Sequence, residues 1–512
     1  MTDQYDSAQL EPPRGLGRRA VNGVFWTAAS NWGDQLSRLV VFAILARLLD
    51  PKAFGLVALA WVFIGFVDVV ADQGLVAALI QRKNIARIHL DTGFWMLVVF
   101  GVFLMLALIG LSLPLAAAMH EGALAPVLVA LSFVIPIGSL SDVQQALLSR
   151  ELRFRSLALR TLVGIGIGSV VGIGAAVLGF GVWSLVAQRI SSQLAQTIVL
   201  WRVAPWRPAF AFGKREAREL FAFGKHVVGF RLMNFANSNV DNFLVGAVLG
   251  PFALGLYTVG YRILRLVIQL TSNLIDGVAF PVYARLQDHP DRFRRAYYKS
   301  STFAALLAFP GFTAILVLAP QLVSVLFGPK WSGSVPVMQV LALVGIVRSV
   351  NYLNSSTLTG LGKPNWRVFI VGITTVLLVT ALLISVWFGI VAVAVATLIV
   401  GIVVAPLPYW AVHRLVPFSI VRYLRGVATP LAASVALGLT MFVVQRLMAD
   451  RSDFVTLLAA GASGFAVYAA VLRLVARSLT DEALALAATA LPRRRAGRRQ
   501  AVLASEMEHV GG

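Results

Sequence analysis

Long apolar runs, each about the length that crosses a lipid bilayer, follow one another from residue 22 to residue 476. A membrane-crossing helix needs about 20 mostly apolar residues, at about 1.5 Å of rise each. Divided at charge clusters and Gly/Pro turns, the chain yields fourteen such runs: 22–47, 54–80, 93–116, 123–148, 158–178, 181–201, 224–248, 253–282, 301–327, 334–360, 368–388, 390–411, 426–446 and 454–476. In hydrocarbon every backbone N–H and C=O must find a partner inside the protein, so these runs predict helices. The fold expected is an all-α membrane protein of about 14 transmembrane helices. Composition agrees, since only 13% of the residues are charged and 58% are hydrophobic. A soluble chain carries about a quarter charged residues, so a water-soluble multidomain enzyme is excluded.

The charges present are lopsided: 44 Lys and Arg against 23 Asp and Glu, a net +21. In a soluble protein that balance suggests nucleic acid; in a membrane protein it suggests cation-rich cytoplasmic loops. Location decides between them. With a cytoplasmic N-terminus, 33 of the cations fall on the cytoplasmic side and five on the other, namely Arg47, Lys52, Lys330, Arg446 and Arg451. The bias recurs loop by loop and places both termini in the cytoplasm. The basic stretch Pro492–Arg499 then meets anionic headgroups, and no nucleic-acid partner is expected. The first apolar run begins near Val21 and is too long for a signal h-region, so no cleavable signal is expected.

A shift of 200 residues superposes two segments. Leu48-Leu49-Asp50-Pro51-Lys52-Ala53-Phe54-Gly55-Leu56 lies over Val248-Leu249-Gly250-Pro251-Phe252-Ala253-Leu254-Gly255-Leu256. Six spans separate them, so the repeat is parallel, with its axis along the membrane normal. The organisation expected is a cytoplasmic segment 1–21, an N-lobe 22–203, a linker 204–223, a C-lobe 224–412, two appended helices 413–477, and a basic cytoplasmic tail 478–512. Two pseudo-symmetric six-helix lobes of this kind enclose a central site and work by rocking.

Away from the span ends, six cations (Arg38, Arg189, Arg231, Arg262, Arg265, Arg348) and six anions (Asp34, Asp68, Asp72, Asp142, Asp241, Asp276) lie within spans. Such groups are expensive in lipid and normally face a polar interior. On the eighth span Arg262, Arg265, Gln269, Asn273 and Asp276 follow helical spacing and form one polar stripe, the expected wall of a water-filled cavity. Arg348 belongs to a similar group on the tenth span. Arg38, Arg231, Arg262 and Arg265 suit an anionic pyrophosphate. The aspartates either neutralise them or bind protons or Na⁺; sequence leaves both open. Asp34 with Arg38 reads equally as a structural ion pair, Asp241 as a local hydrogen-bonding group, and Arg189 as a side chain snorkelling to an interface.

Familiar soluble chemistry is missing. No cysteine is present, which removes disulfides, Cys-ligated metals and thiol nucleophiles. The six histidines have no metal-ligand spacing, and no Walker A motif occurs. Gly164, Gly166, Gly168, Gly172 and Gly174 stand inside an apolar span, where small residues let membrane helices approach. No catalytic residue, metal or cofactor is expected.

Several segments resemble a known family. Phe42-Ala43-Ile44-Leu45-Ala46-Arg47 through Leu56 is similar to the first-hairpin signature of bacterial polysaccharide exporters. Asp72-Gln73-Gly74-Leu75, Asn239-Val240-Asp241-Asn242 through Tyr257, Phe327-Gly328-Pro329-Lys330-Trp331 and Gly360-Leu361-Gly362-Lys363-Pro364 extend the match across residues 20–370. These are Wzx-type lipid-linked oligosaccharide flippases of the MOP superfamily, in the colanic-acid-exporter-like branch; the superfamily also holds the MATE drug antiporters.

The resemblance implies MATE-like lobes and undecaprenyl-pyrophosphate-linked repeat units moved from the cytoplasmic to the periplasmic leaflet of the inner membrane. It also implies membrane lipids, a polymerase and chain-length machinery as partners. Arg38, Arg231, Arg262 and Arg265 are its candidate pyrophosphate contacts. Asp34, Asp68, Asp72, Asp241, Gln269, Asn273, Asp276 and Arg348 are the candidates for the cavity wall or ion coupling. The competing reading is a MATE-like, cation-coupled efflux pump for small amphiphiles.

Overall fold

A computed structural model of the chain describes residues 35, 37–71, 74–82, 85–286 and 289–477. Among the described residues all regular secondary structure is helical. A first helix, α1, occupies 37–48. It is followed by α2 (Pro51–Ala71), α3 (Leu75–Gln81), α4 (Arg87–Ala118), α5 (Leu124–Ser132), α6 (Val134–Arg150), α7 (Phe154–Val177), α8 (Val182–Val203) and α9 (Lys214–Leu244). A π-helical turn, Val245–Leu249, leads into α10 (Gly250–Arg285), α11 (Pro290–Leu326), a 3₁₀ turn at Pro329–Ser334, and α12 (Val335–Gly360). The chain closes with α13 (Pro364–Ser385), α14 (Ile390–Val404), α15 (Pro406–Leu415), α16 (Ile420–Leu447) and α17 (Asp453–Val475).

Among the described residues, eleven helices are long and apolar enough to cross a membrane. Three of the fourteen expected spans account for the difference. The first lies partly outside the described residues. The sixth, α8, carries Gln188, Arg189, Ser191, Ser192, Gln193 and Gln196, and this polar load lowers its hydropathy. The seventh and eighth run together as one apolar stretch, Arg231–Gln269. The chain turns inside that stretch at Gly250, whose φ of 81° is a left-handed conformation that only glycine adopts readily.

The chain divides into two compact units. The first takes in residues up to Leu270 with Ala319–Gly345 and Asn365–Leu407. The second takes in Thr271–Leu318, Ile346–Pro364 and the chain from Pro408 onward.

Within the first unit, the expected glycine stripe works as a packing face. Gly164, Gly168 and Gly172 of α7 are buried. A Cβ at Gly168 would sit 2.8 Å from the Gln188 carbonyl oxygen, and one at Gly172 would sit 2.7 Å from Gln188 Cβ of α8. Gly166 and Gly174, on the opposite face, meet nothing. At the inter-helical linker, Trp95 Nε1 donates to the Ala209 carbonyl at 2.9 Å, and Ala209 N donates to Asp91 Oδ1 at 3.0 Å. A core of Leu75, Leu79, Leu90, Phe94, Leu97, Val143 and Leu220 lies beneath.

The two repeat segments meet in this unit. A Cβ on Gly55 of α2 would overlap the Pro251 carbonyl of α10, and a Cβ on Gly255 would overlap the Pro51 carbonyl. Residues paired by the 200-residue shift are thus paired in space, each glycine admitting the other segment's proline carbonyl. Trp331 is fully buried beside this crossing and donates to the Ala46 carbonyl at 2.8 Å. Its ring meets Phe54 edge-on at 5.3 Å, and Phe54 meets Phe42 at 5.1 Å. Lys330 donates to the Arg47 carbonyl at 3.0 Å and lies 3.6 Å from Asp50; Arg47 donates to Val325 and Leu326 carbonyls; Lys52 pairs with Glu121 at 3.2 Å. Three of the five cations that break the loop-charge rule are therefore tied into this end of the helices.

The second unit holds a buried aromatic cluster with α16 and α17. Tyr297 donates to Asn354, stacks on Tyr423 at 5.7 Å, and lies 5.2 Å from Phe418. Tyr409 and Tyr423 share a hydroxyl–hydroxyl bond of 2.9 Å. Tyr468 of α17 donates to the Leu306 carbonyl at 2.7 Å, and Gly464 accepts the Met441 side chain of α16. Ser419 caps α16 by accepting from Arg422 N.

Candidate functional site

Half-way along α2, the face away from the hydrophobic core carries Trp61, Gly65 and Asp68, spaced one and two turns apart. Trp61 and Asp68 are solvent-accessible, unlike Leu59, Ala60 and Ile64 behind them. Gly65 lets the Phe235 ring of α9 come within 2.7 Å of its would-be Cβ, which brings α9 alongside. Opposite, α8 presents Arg189, whose guanidinium sits 4.4 Å from the centroid of the Trp61 ring. A cation over an indole face is held by the ring quadrupole.

Charges from four helices converge here. Asp68 is within electrostatic reach of Arg189 on α8 and Arg231 on α9, and Arg189 in turn feels Arg38 of α1. One carboxylate is in reach of two guanidiniums, and a third acts on one of these. Behind it lies a second layer. Asp142 on α6 is within electrostatic reach of Asp68 and of Arg160 of α7, and Arg160 donates to the Gln145 side chain. The Nε atoms of Arg189 and Arg160 are buried and have no hydrogen-bond partner, nor do the amide atoms of the fully buried Gln144. Guanidinium donors left unmade in a low-dielectric site are costly, and they suit an incoming anionic acceptor.

The expected site residues are partly brought together. Arg38 and Arg231 join this cluster. Arg262 and Arg265 lie apart on α10, Arg262 over the Phe42 ring at 5.0 Å and Arg265 over Tyr261 at 4.9 Å. Arg265 and Gln269 are exposed along one line of that helix. Asn273 and Asp276 continue the same helix, but their side chains lie outside the described residues, as do Asp34 and Asp72. Asp241 is buried and accepts from the Tyr257 hydroxyl at 3.0 Å, tying α9 to α10. That is the local hydrogen-bonding role. Arg348 is exposed within the second unit.

Arg189 is the correction. Read as an interfacial snorkeller, it instead lies over the Trp61 ring of α2, within electrostatic reach of Asp68. Its sequence surroundings concealed this, because α8 has no acidic residue of its own and every partner comes from another helix. The signal available was the polar face Gln188, Ser192, Gln196, which the small-residue face of α7 covers.

On the cytoplasmic side of the expected topology, Glu219 of α9 receives Arg82 at 2.6 Å and Arg215 at 2.9 Å, with His89 3.8 Å away. The Arg82 hydrogen bond first, and the Arg215 bond second, hold the Glu219 carboxyl below the usual carboxylate range.

A bundle of apolar helices, eleven of which among the described residues are long and apolar enough to cross a membrane, defines the class: a polytopic membrane protein. The chain belongs to the polysaccharide biosynthesis protein family, whose model matches residues 44–336. It is 27% identical over 440 residues to the teichuronic acid biosynthesis protein TuaB of Bacillus subtilis, covering 84% of this chain and 89% of that one. It is 26% identical over 341 residues to the lipopolysaccharide biosynthesis protein WzxC of Escherichia coli, covering 65% and 68%. The lipid II flippase MurJ in its inward closed conformation has the same fold, with a TM-score of 0.69 at 14% identity over 89% of this chain and all of that one. The Wzx-type resemblance read from the motifs therefore stands.

Proposed function

We propose that the protein flips lipid-linked oligosaccharide repeat units across the bacterial inner membrane, from the cytoplasmic to the periplasmic leaflet. The observation that carries this is Arg189 seated over Trp61 of α2, with Arg231 in electrostatic reach of Asp68 on the same helix and Arg38 in reach of Arg189. A diphosphate diester carries two negative charges, and moving it through hydrocarbon unaccompanied is prohibitive. Guanidiniums replace its water with charge-assisted hydrogen bonds, while the polar stripe of α10 serves the sugars and the prenyl chain stays in lipid. The names of TuaB and WzxC, both polysaccharide biosynthesis proteins, support this reading over drug efflux.

The mechanism is alternating access between two six-helix lobes, 22–203 and 224–412, with both termini cytoplasmic and fourteen spans in all. The Gly55–Gly255 crossing then lies at the periplasmic end. It forms when the site faces the cytoplasm and parts when the site faces outward. Asp68 is the lead candidate for ion coupling, since it is the anion that the arginines already share. The chain acts as a carrier and not as an enzyme, beside the polymerase and chain-length machinery that consume its product.

Deleting the gene in its host tests the reading. Surface polysaccharide should disappear while single prenyl-diphosphate repeat units accumulate on the cytoplasmic face, and the intact gene should restore export. Normal export in the deletion strain, or accumulation of periplasmic but unpolymerised units, would sink it.

A further inference from the structure

The linker between α8 and α9 is firmly tied down, yet it holds an aromatic side chain away from the protein. Trp95 Nε1 donates to the Ala209 carbonyl at 2.9 Å, Ala209 N donates to Asp91 Oδ1 at 3.0 Å, and Gly213 N donates to Thr92 Oγ1 at 2.9 Å. The backbone on both sides of residues 210–212 is thus fixed to the first three turns of α4. Between these ties Phe210 is 95% exposed, and Phe212 is exposed as well. The Phe210 ring stacks on the Trp95 ring at 5.0 Å.

The course of α4 says what covers that ring. This helix is long and apolar enough to cross a membrane. From Trp95, Val99, Val102, Phe103 and Leu106 continue at helical spacing as an exposed apolar stripe, the kind of surface that meets acyl chains. Phe210 caps the end of that stripe. Trp95, Trp201 and Trp206 all gather around Phe94 there, at 5.3, 6.3 and 5.9 Å, and clustered indoles mark the interface of a bilayer. Cations flank the aromatic group along the chain. Arg202 in the last turn of α8 is exposed, and Lys214, Arg218 and Phe221 share one exposed face of α9. Arg207 and Arg215, by contrast, are engaged by the protein, Arg207 at the Trp201, Ala204 and Trp206 carbonyls and Arg215 at Glu219.

We infer that residues 202–221 form a membrane-surface anchor, with Phe210 and Phe212 set between headgroups and acyl chains and with Arg202, Lys214 and Arg218 on the phosphates of anionic phospholipids. The rings gain by leaving water, and the cations gain from the negative surface potential of an anionic leaflet. Continuity with the exposed stripe of α4 selects lipid over a soluble protein as the occupant of this face. In the proposed topology the anchor lies on the cytoplasmic leaflet. It holds the linker that joins the two proposed lobes at the bilayer surface. The inference goes beyond the flipping reading and does not depend on it.

The chain has no cysteine, so Phe210→Cys gives the full-length protein a single attachment point for a polarity-sensitive fluorophore. In liposomes of phosphatidylcholine mixed with phosphatidylglycerol, the label should be quenched by phospholipids spin-labelled high on the acyl chain and shielded from aqueous iodide. Phe212→Cys supplies a second, independent reporter. The charges are tested by titrating phosphatidylglycerol into the labelled protein in detergent and following the label's emission. Arg218→Gln should raise the lipid needed by about fivefold, the effect of one cation near an anionic surface. Adding Arg202→Gln and Lys214→Gln should raise it further, whereas Lys363→Gln should leave it unchanged. Iodide quenching of both labels without quenching by the spin-labelled lipids overturns the anchor and gives this face to water or a soluble partner. Equal phosphatidylglycerol binding by the parent and the triple Gln variant overturns the assignment of the three cations to anionic headgroups.

Discussion

Two places on α2 show opposite solutions to the same packing problem. At its first turn, Gly55 admits the Pro251 carbonyl so closely that no side chain fits, and the reciprocal contact at Gly255 repeats the constraint. Between about two and four turns further on, Trp61 lies under the Arg189 guanidinium, whose Nε has no hydrogen-bond partner, and Asp68 is in electrostatic reach of Arg189 and Arg231. The first is fixed by van der Waals contact, which tolerates one separation only. The second is fixed by charge, which acts over several ångströms and accepts a new partner without repacking. A carrier needs both: a crossing that is either closed or apart, and a site that changes ligands.

The largest expected effect comes from breaking the crossing. Gly55→Leu should force α2 and α10 apart, cost more than the ~1–3 kcal/mol typical of overpacking, and abolish export. Gly255→Leu should do the same. Because the two substitutions break one contact, the double variant should lose little more stability than either alone, as read from thermal unfolding in detergent. Full additivity would mean that the two glycines act separately.

Arg189→Ala addresses the other region, with less effect on stability and more on the ligand. Losing a charge-assisted hydrogen bond costs roughly 1.5–3 kcal/mol, so affinity for a prenyl-diphosphate sugar should fall about tenfold to a hundredfold. Arg231→Ala should behave alike, and Arg446→Ala, on one of the minority-side cations, should not. Equal affinity across all three would detach that region from diphosphate binding.

The smallest effect concerns neither region but the tie at the far end of α3 and the start of α9. The Glu219 carboxyl is held below its usual range by Arg82 and Arg215. The stabilisation it gives is complete above the unfolded carboxylate value and is lost as pH falls through the depressed folded value. Thermal midpoints of the wild-type protein and Glu219→Gln should differ slightly at neutral pH and converge in acid. The group is solvent-exposed, so the gap should stay small.

Much of this was legible in the sequence because lipid imposes simple rules. Run length gave the helices, and the match of Leu48–Leu56 to Val248–Leu256 singled out the two segments that meet at Gly55 and Gly255. The glycine stripe of α7 was readable as packing for the same reason: helical periodicity fixes which glycines share a face. The site was less legible. Asp68 has no partner on α2, Arg189 none on α8, and Asp142 none on α6, so sequence spacing is silent about their convergence. The intrahelical stripe of α10 was conspicuous because its members lie on one helix. The cluster between helices was not, although it gathers more charge.

Reconstituted flipping tests the central claim most directly. Liposomes containing the purified protein and a fluorescent prenyl-diphosphate sugar are quenched from outside, which counts the lipid in each leaflet. Wild-type protein should exchange the probe between leaflets, so that quenching proceeds past the outer-leaflet fraction, and Arg189→Ala should stop at that fraction as empty liposomes do. Wild-type quenching that halts at the outer leaflet, or an Arg189→Ala variant that flips as fast as the wild type, would contradict the account.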